Sequence, residues 1–101
     1  MEVWEGARDS ERKQFLAISM VFGGRKDLLS WLFDPTIARL RFPAEVLKKN
    51  CRGMSSGAQV LIKIAIDLWG EQGGARITDL QSLDSHLTGR VSKALEILYV
   101  F

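Results

Sequence analysis

The chain is poor in residues that cross-link or coordinate. Its 101 residues include one cysteine, Cys51, and one histidine, His86. A single thiol forms no intrachain disulfide, so folding does not require an oxidising compartment. One Cys and one His fall short of the roughly four ligands of a structural zinc site, so no metal or other cofactor is expected. The 2 prolines and 9 glycines are too few and too scattered for a disordered or collagen-like chain. The longest uncharged run, residues 14–24, is well short of the about 20 apolar residues that span a bilayer, so no membrane partner is expected. The start, Met1-Glu2-Val3-Trp4-Glu5, is acidic and has no apolar stretch. It does not resemble a signal peptide, and the cytoplasm is the default location.

What is present is ordinary for one globular domain: 47% apolar and 26% charged residues. A chain of this size buries roughly two thirds of its unfolded surface, enough for one core. The expected division is a loose arm over residues 1–9 and a single helical domain over 10–101. The net charge of +2 hides an asymmetry. Residues 8–52 hold ten basic and five acidic side chains, whereas residues 53–101 hold four and five. The basic surplus therefore lies in the N-terminal half, where it suits phosphates or an acidic protein face.

The pattern along the chain predicts an all-α fold, an irregular bundle of five or six short helices. Asp9 or Ser10 is a suitable N-cap for a first helix over 10–22. Phe15, Ile18 and Phe22 then share a helical face, although Leu16, Ile18, Met20 and Phe22 also alternate as in a strand. Gly23-Gly24 ends this element. A second helix is expected over 25–33, broken by Asp34-Pro35. Residues 36–42 give no clear period. Pro43 fits the first turn of a third helix that ends near Gly53. Ser55-Ser56 caps a fourth, from about 57 to 69. Its polar residues Gln59, Lys63 and Asp67 recur every four positions, so they form one narrow stripe on an otherwise apolar helix, which marks the central buried one. Thr78-Asp79-Leu80-Gln81 has the form of a capping box for a short helix over 79–83. Asp84 or Ser85 caps a last helix over 86–98, with Leu87, Val91, Leu95 and Leu98 on its apolar face. These two helices form a C-terminal αα-hairpin.

Two segments resemble known motifs. Met54-Ser55-Ser56-Gly57-Ala58-Gln59 resembles the signature motif of ABC-type and SMC-type ATPases, which implies a nucleotide-phosphate contact at a helix N-terminus. The G-x-x-x-x-G-K-[ST] loop such proteins also need is absent, and Gly23-Gly24-Arg25-Lys26-Asp27 lacks its spacing and hydroxyl. Residues 77–98 resemble the helix-turn-helix of winged-helix regulators. That resemblance implies a recognition helix over 87–95, with Arg90 and Lys93 touching DNA. The inter-helix positions Asp84, Ser85 and His86 depart from the usual turn, and no wing follows.

No catalytic set is recognisable. Asp84, Ser85 and His86 have the residue types of a hydrolytic triad but are chain neighbours, which do not face one another on a helix. Cys51 lies among Lys48, Lys49 and Arg52, whose charge would favour a reactive thiolate. Without a second Cys or a nearby His, a structural thiol is the better reading. The apolar run Ile97-Leu98-Tyr99-Val100-Phe101 must dock on its own core, on a second copy or on a partner.

The sequence thus points to a small non-enzymatic interaction module, a regulator or inhibitor that occludes a partner's surface. Arg25, Lys26, Lys48, Lys49 and Arg52 would steer it to an acidic protein partner. Tyr99 and Phe101 would anchor that partner or the second copy of a homodimer. The alternative is a degenerate helix-turn-helix DNA-binding regulator acting through Arg90 and Lys93.

Overall fold

A computed structural model describes residues 8–34, 36 and 39–100, with Val100 described by its backbone alone. Among these residues the fold is all-α, with five α-helices: α1 (Asp9–Val21), α2 (Lys26–Leu32), α3 (Ala44–Asn50), α4 (Ser56–Leu68) and α5 (Ser85–Leu95). Short 3-10 turns cover Cys51–Gly53 and Ile77–Ser82, and α5 runs on into a π turn, Glu96–Val100.

Exposure decides between the two periods in α1. An alternating strand would place Leu16, Ile18, Met20 and Phe22 on one side. Instead Ile18 and Phe22 are buried, while Leu16 is 56% and Met20 37% exposed. Phe15, Ala17, Ile18 and Val21 form the buried face, as a 3.6-residue period requires. The helix starts earlier than Asp9 or Ser10 as a cap would have it. Arg8 is the N-cap, and its backbone N–H donates to Glu11 Oε1 at 2.9 Å. Of the expected arm, Arg8 and Asp9 are described, and Asp9 is already helical. At the other end Gly23 (φ 62) and Gly24 (φ 76) take the left-handed backbone that closes the helix, and Gly24 N–H donates to Ser19 O at 2.9 Å.

Residues 36–42, which lack a period, connect α2 to α3. The ends of this connection are tied by an antiparallel bridge between Phe33 and Leu40, with Arg41 N–H donating to Leu32 O at 2.8 Å. Pro43 then sits at the N-cap of α3.

α4 is the central helix, with Val60, Leu61, Ile62, Ile64, Ala65, Ile66 and Leu68 all buried. It packs against α1, α3 and the Ile77–Ser82 turn, while α1 also packs along α5. Ser55 Oγ accepts from Ala58 N–H at 3.2 Å to cap its start, and Gln14 Nε2 donates to Leu68 O at 3.2 Å near its end. Phe33 joins the elements through tilted and edge-on ring contacts with Phe15 (5.4 Å) and Trp69 (4.9 Å).

The loop after α4 is held by Asp67. Its carboxylate accepts from the N–H groups of Gly73 (2.7 Å), Gly74 (3.3 Å) and Ala75 (2.9 Å). Gly73 comes so close to α4 that any side chain there would collide with the Lys63 carbonyl. Asp67 is therefore a loop anchor rather than an idle member of a polar stripe.

The C-terminal hairpin differs in detail from the expectation. Its first arm, Ile77–Ser82, is a 3-10 turn that begins before Thr78. Asp79 Oδ2, not Gln81, reaches back, accepting from Arg76 N–H at 2.9 Å. Asp84 does cap α5, accepting from Leu87 N–H at 2.8 Å. The buried residues of α5 are Val91 and Ala94, whereas Leu95 stands 42% exposed. The π turn widens the helix and shifts its register, and within it Ile97 and Leu98 pack on the core.

Candidate functional site

The start of α4 and the end of α3 build one groove of about 400 Å3, lined by Glu45, Lys48, Lys49, Arg52, Gln59 and Lys63. Each side chain arrives for a local reason. Lys48 and Lys49 occupy the last turn of α3, where the partial negative charge of the helix end favours cations. Arg52 sits in the 3-10 turn between the helices. Gln59 fixes that turn, its Nε2 donating to Met54 O at 2.8 Å and Arg52 O at 3.1 Å. Lys63 follows one helical turn after Gln59.

The groove gathers four cations and one carboxylate, Glu45. Lys48 Nζ donates to Gln72 O at 2.8 Å, which ties α3 to the loop after α4. Among the described residues no carboxylate pairs with Lys49, Arg52 or Lys63. Their fields therefore remain available to an incoming anion. Lys63 was missed as a site residue. Its place in the Gln59–Lys63–Asp67 stripe is visible in the sequence, but nothing there shows that the stripe faces the end of α3.

Cys51 lies beneath this groove and is 1% exposed. Burial pushes its thiol pKa above the ordinary value, outweighing the lowering by a backbone hydrogen bond and by the charges of Lys63 and Arg52. Its Sγ donates to Lys48 O at 3.1 Å. Nearby cations do not make it a reactive thiolate, because desolvation acts more strongly.

The structure does not bring Arg25 and Lys26 into this groove. Arg25 pairs with Asp27, Nη2 to Oδ2 at 2.7 Å and Nε to Oδ1 at 3.3 Å. That hydrogen-bonded pair raises the Arg25 pKa and lowers that of Asp27. Lys26 lines a separate groove with Arg12 and Leu16. Tyr99 is 71% exposed in the π turn but does not line the basic groove. Phe101 lies outside the described residues.

The helix proposed to read DNA packs along α1. Arg90 folds back onto its own neighbours. Its Nη2 lies 2.9 Å from His86 Nε2, and its guanidinium covers Gly23 so closely that a Cβ there would sit 2.5 Å from Nη1. Lys93 is exposed. Asp84 caps α5 and His86 contacts Arg90, so these two side chains serve separate local contacts. Phe15 is buried and Trp31 packs on the core, so neither aromatic forms an open stacking platform.

Among the described residues no three His, Cys, Asp or Glu side chains come together as a metal site, and no helix is long and apolar enough to cross a membrane. Comparison with protein families, with curated proteins and with solved structures gives no match.

Proposed function

We propose that the protein is a small interaction module whose α3–α4 groove receives an acidic segment of a partner protein. The observation that carries this reading is the convergence of Lys48, Lys49, Arg52 and Lys63 on one groove with a single carboxylate. Four cations held within one concave surface focus a positive potential, which steers an acidic surface and orients it on contact. Lys49 and Arg52, both exposed, make the first electrostatic contact. Lys48 and Gln59 hold the groove in shape through their bonds to backbone carbonyls. Occupation of a partner's acidic face by this domain is the regulatory or inhibitory act. Tyr99, with its ring exposed, is a further anchor for a partner or a second copy.

DNA contact through α5 is the alternative. Lys93 supports it, while the engagement of Arg90 with Gly23 and His86 removes its guanine-reading candidate from the helix's outer face.

The test is fluorescence anisotropy with two labelled probes, a poly-glutamate peptide and a random-sequence DNA duplex, over a range of salt concentrations. The expected result is peptide binding that weakens with salt and falls about tenfold or more in the Lys49→Glu/Arg52→Glu variant. Peptide binding indifferent to that variant, or DNA binding that falls about tenfold in an Arg90→Ala/Lys93→Ala variant, would overturn the proposal.

A further inference from the structure

A second groove, separate from the basic one, runs along the outer side of α1 beside α2. It has a volume of about 460 Å3 and is lined by Arg12, Phe15, Leu16, Ser19, Gly24, Lys26 and Leu29. A hollow of about 390 Å3 continues it past Leu16, Ser19 and Met20 to Gly23 and Gly24. The floor is apolar: Phe15 and Leu29 are buried beneath it. The rim is apolar as well, through the exposed Leu16 and Met20. Leu16 and Met20 are four residues apart on α1, so they stand one above the other on the same face. α5 packs against α1 elsewhere and leaves this stripe uncovered.

The polar groups of this groove have one sign of charge. Arg12 and Lys26 both line it, no carboxylate does, and no carboxylate pairs with either among the described residues. The nearby Asp27 is engaged by Arg25. An apolar floor bordered by unpaired cations is complementary to an apolar stripe bordered by carboxylates. The stretch from Arg12 to Met20 covers about 12 Å at 1.5 Å per residue, the length of roughly two turns of a partner helix. Helices recognised in this way present apolar side chains at i, i+4 and i+7 to a groove.

We propose that the α1–α2 groove is a docking site for an amphipathic helix of a partner protein, with apolar side chains seated over Phe15 and Leu29 and flanking carboxylates meeting Arg12 and Lys26. The site is independent of the α3–α4 groove, since the two share no lining residue.

Two labelled helical peptides test it. Both have leucine at i, i+4 and i+7; one has glutamates at the flanks and the other lysines. Anisotropy should show the glutamate peptide binding at least about tenfold more tightly than the lysine peptide. Leu16→Glu should weaken that binding about tenfold or more. Arg12→Glu/Lys26→Glu should invert the preference in favour of the lysine peptide. All of these titrations are made in the Lys49→Glu/Arg52→Glu background, which removes the acidic-segment contact of the α3–α4 groove and so separates failure of this proposal from failure of that reading. All these positions are exposed, and a circular dichroism melt of each variant is to check that it is folded. Equal affinity for the two peptides, or binding indifferent to Leu16→Glu, would overturn the proposal. So would a dimer in sedimentation equilibrium that Leu16→Glu dissociates, since a second copy would then cover the groove. Co-sedimentation with phosphatidylglycerol vesicles that depends on Leu16, without peptide binding, would overturn it in favour of a lipid surface.

Discussion

The cations at the start of α2 and those at the end of α3 look alike in sequence and meet different fates. Arg25-Lys26 is followed at once by Asp27, which takes Arg25 into a local pair. Lys48-Lys49 has Arg52 a turn later and Lys63 across the groove, with Glu45 as its only carboxylate. In the first case one of the two charges, that of Arg25, is answered at once by a neighbouring carboxylate. In the second, four cations from three consecutive elements accumulate. Positive charge becomes a site where the backbone converges several cations from different elements around a single carboxylate.

The frame of the α3–α4 groove should be the costliest part to break. Gly73→Ala drives a methyl group into the Lys63 carbonyl and the Asp67 side chain, neither of which is a flexible chain end. The expected loss is about 1–3 kcal/mol in urea unfolding, the range for overpacking at a tight site. Gly24, beside the α1–α2 groove, has open space around it and only its positive φ to accommodate. Gly24→Ala should therefore cost less, about 1 kcal/mol. An equal or reversed order would mean that the loop held by Asp67 yields more easily than its three hydrogen bonds imply.

Gln59→Ala should come next. It leaves the Arg52 and Met54 carbonyls without their side-chain donor, at about 1–2 kcal/mol for two part-exposed bonds. Affinity for poly-glutamate should fall as well, because Arg52 loses its fixed position. Unchanged affinity with lowered stability would separate the frame from the charge.

Much of the fold was legible in the sequence, and the reasons are local. Seven buried apolar residues and a stripe repeating every four positions mark α4 as central. Gly23-Gly24 marks the end of α1 because only residues tolerant of positive φ fit there. The apolar residues of α1 were ambiguous because helix and strand periods share Ile18 and Phe22; only the exposure of Leu16 and Met20 separates them. The 3-10 form of Ile77–Ser82 was not legible, since the Thr78–Gln81 pattern has the form of a capping box, whereas the turn begins at Ile77 with Asp79 Oδ2 accepting from Arg76 N–H. Of the candidate site, Lys48, Lys49 and Arg52 were legible as one cluster. Lys63 was not, because its approach depends on how α4 crosses the end of α3. The role of Arg90 was also hidden: small polar neighbours suit a DNA-reading helix, whereas the side chain closes over a glycine far away in sequence.

A smaller effect should appear at alkaline pH. The Cys51 thiol pKa is raised in the folded state above the ordinary 9.0. The neutral thiol's contribution to stability is therefore fully present below that ordinary value and lost as pH rises through the raised one. Stability of the native chain should fall over that window, and Cys51→Ala should flatten the decline in denaturation midpoints. The parent and the variant declining in parallel would place the titrating group elsewhere.

The smallest effect belongs to Asp27. Its pKa is lowered by the Arg25 hydrogen bond, so its contribution is present above the ordinary carboxylate value of 3.8 and lost as pH falls through the lowered one. The pair is fully exposed, so Asp27→Asn should leave the melting midpoint near neutral pH unchanged. It should free Arg25 and modestly strengthen poly-glutamate contact near α2. No strengthening there would mean that the Arg25–Asp27 pair is not what keeps this corner out of the acidic contact.

The most direct measurement is an amide chemical-shift map of the protein titrated with poly-glutamate. The account predicts shifts concentrated at Lys48, Lys49, Arg52 and Lys63, with Arg25 and Lys26 little moved, because this peptide has no apolar anchors for the α1–α2 groove. Shifts spread equally over both clusters would contradict it, since net charge rather than convergence of cations would then govern recognition.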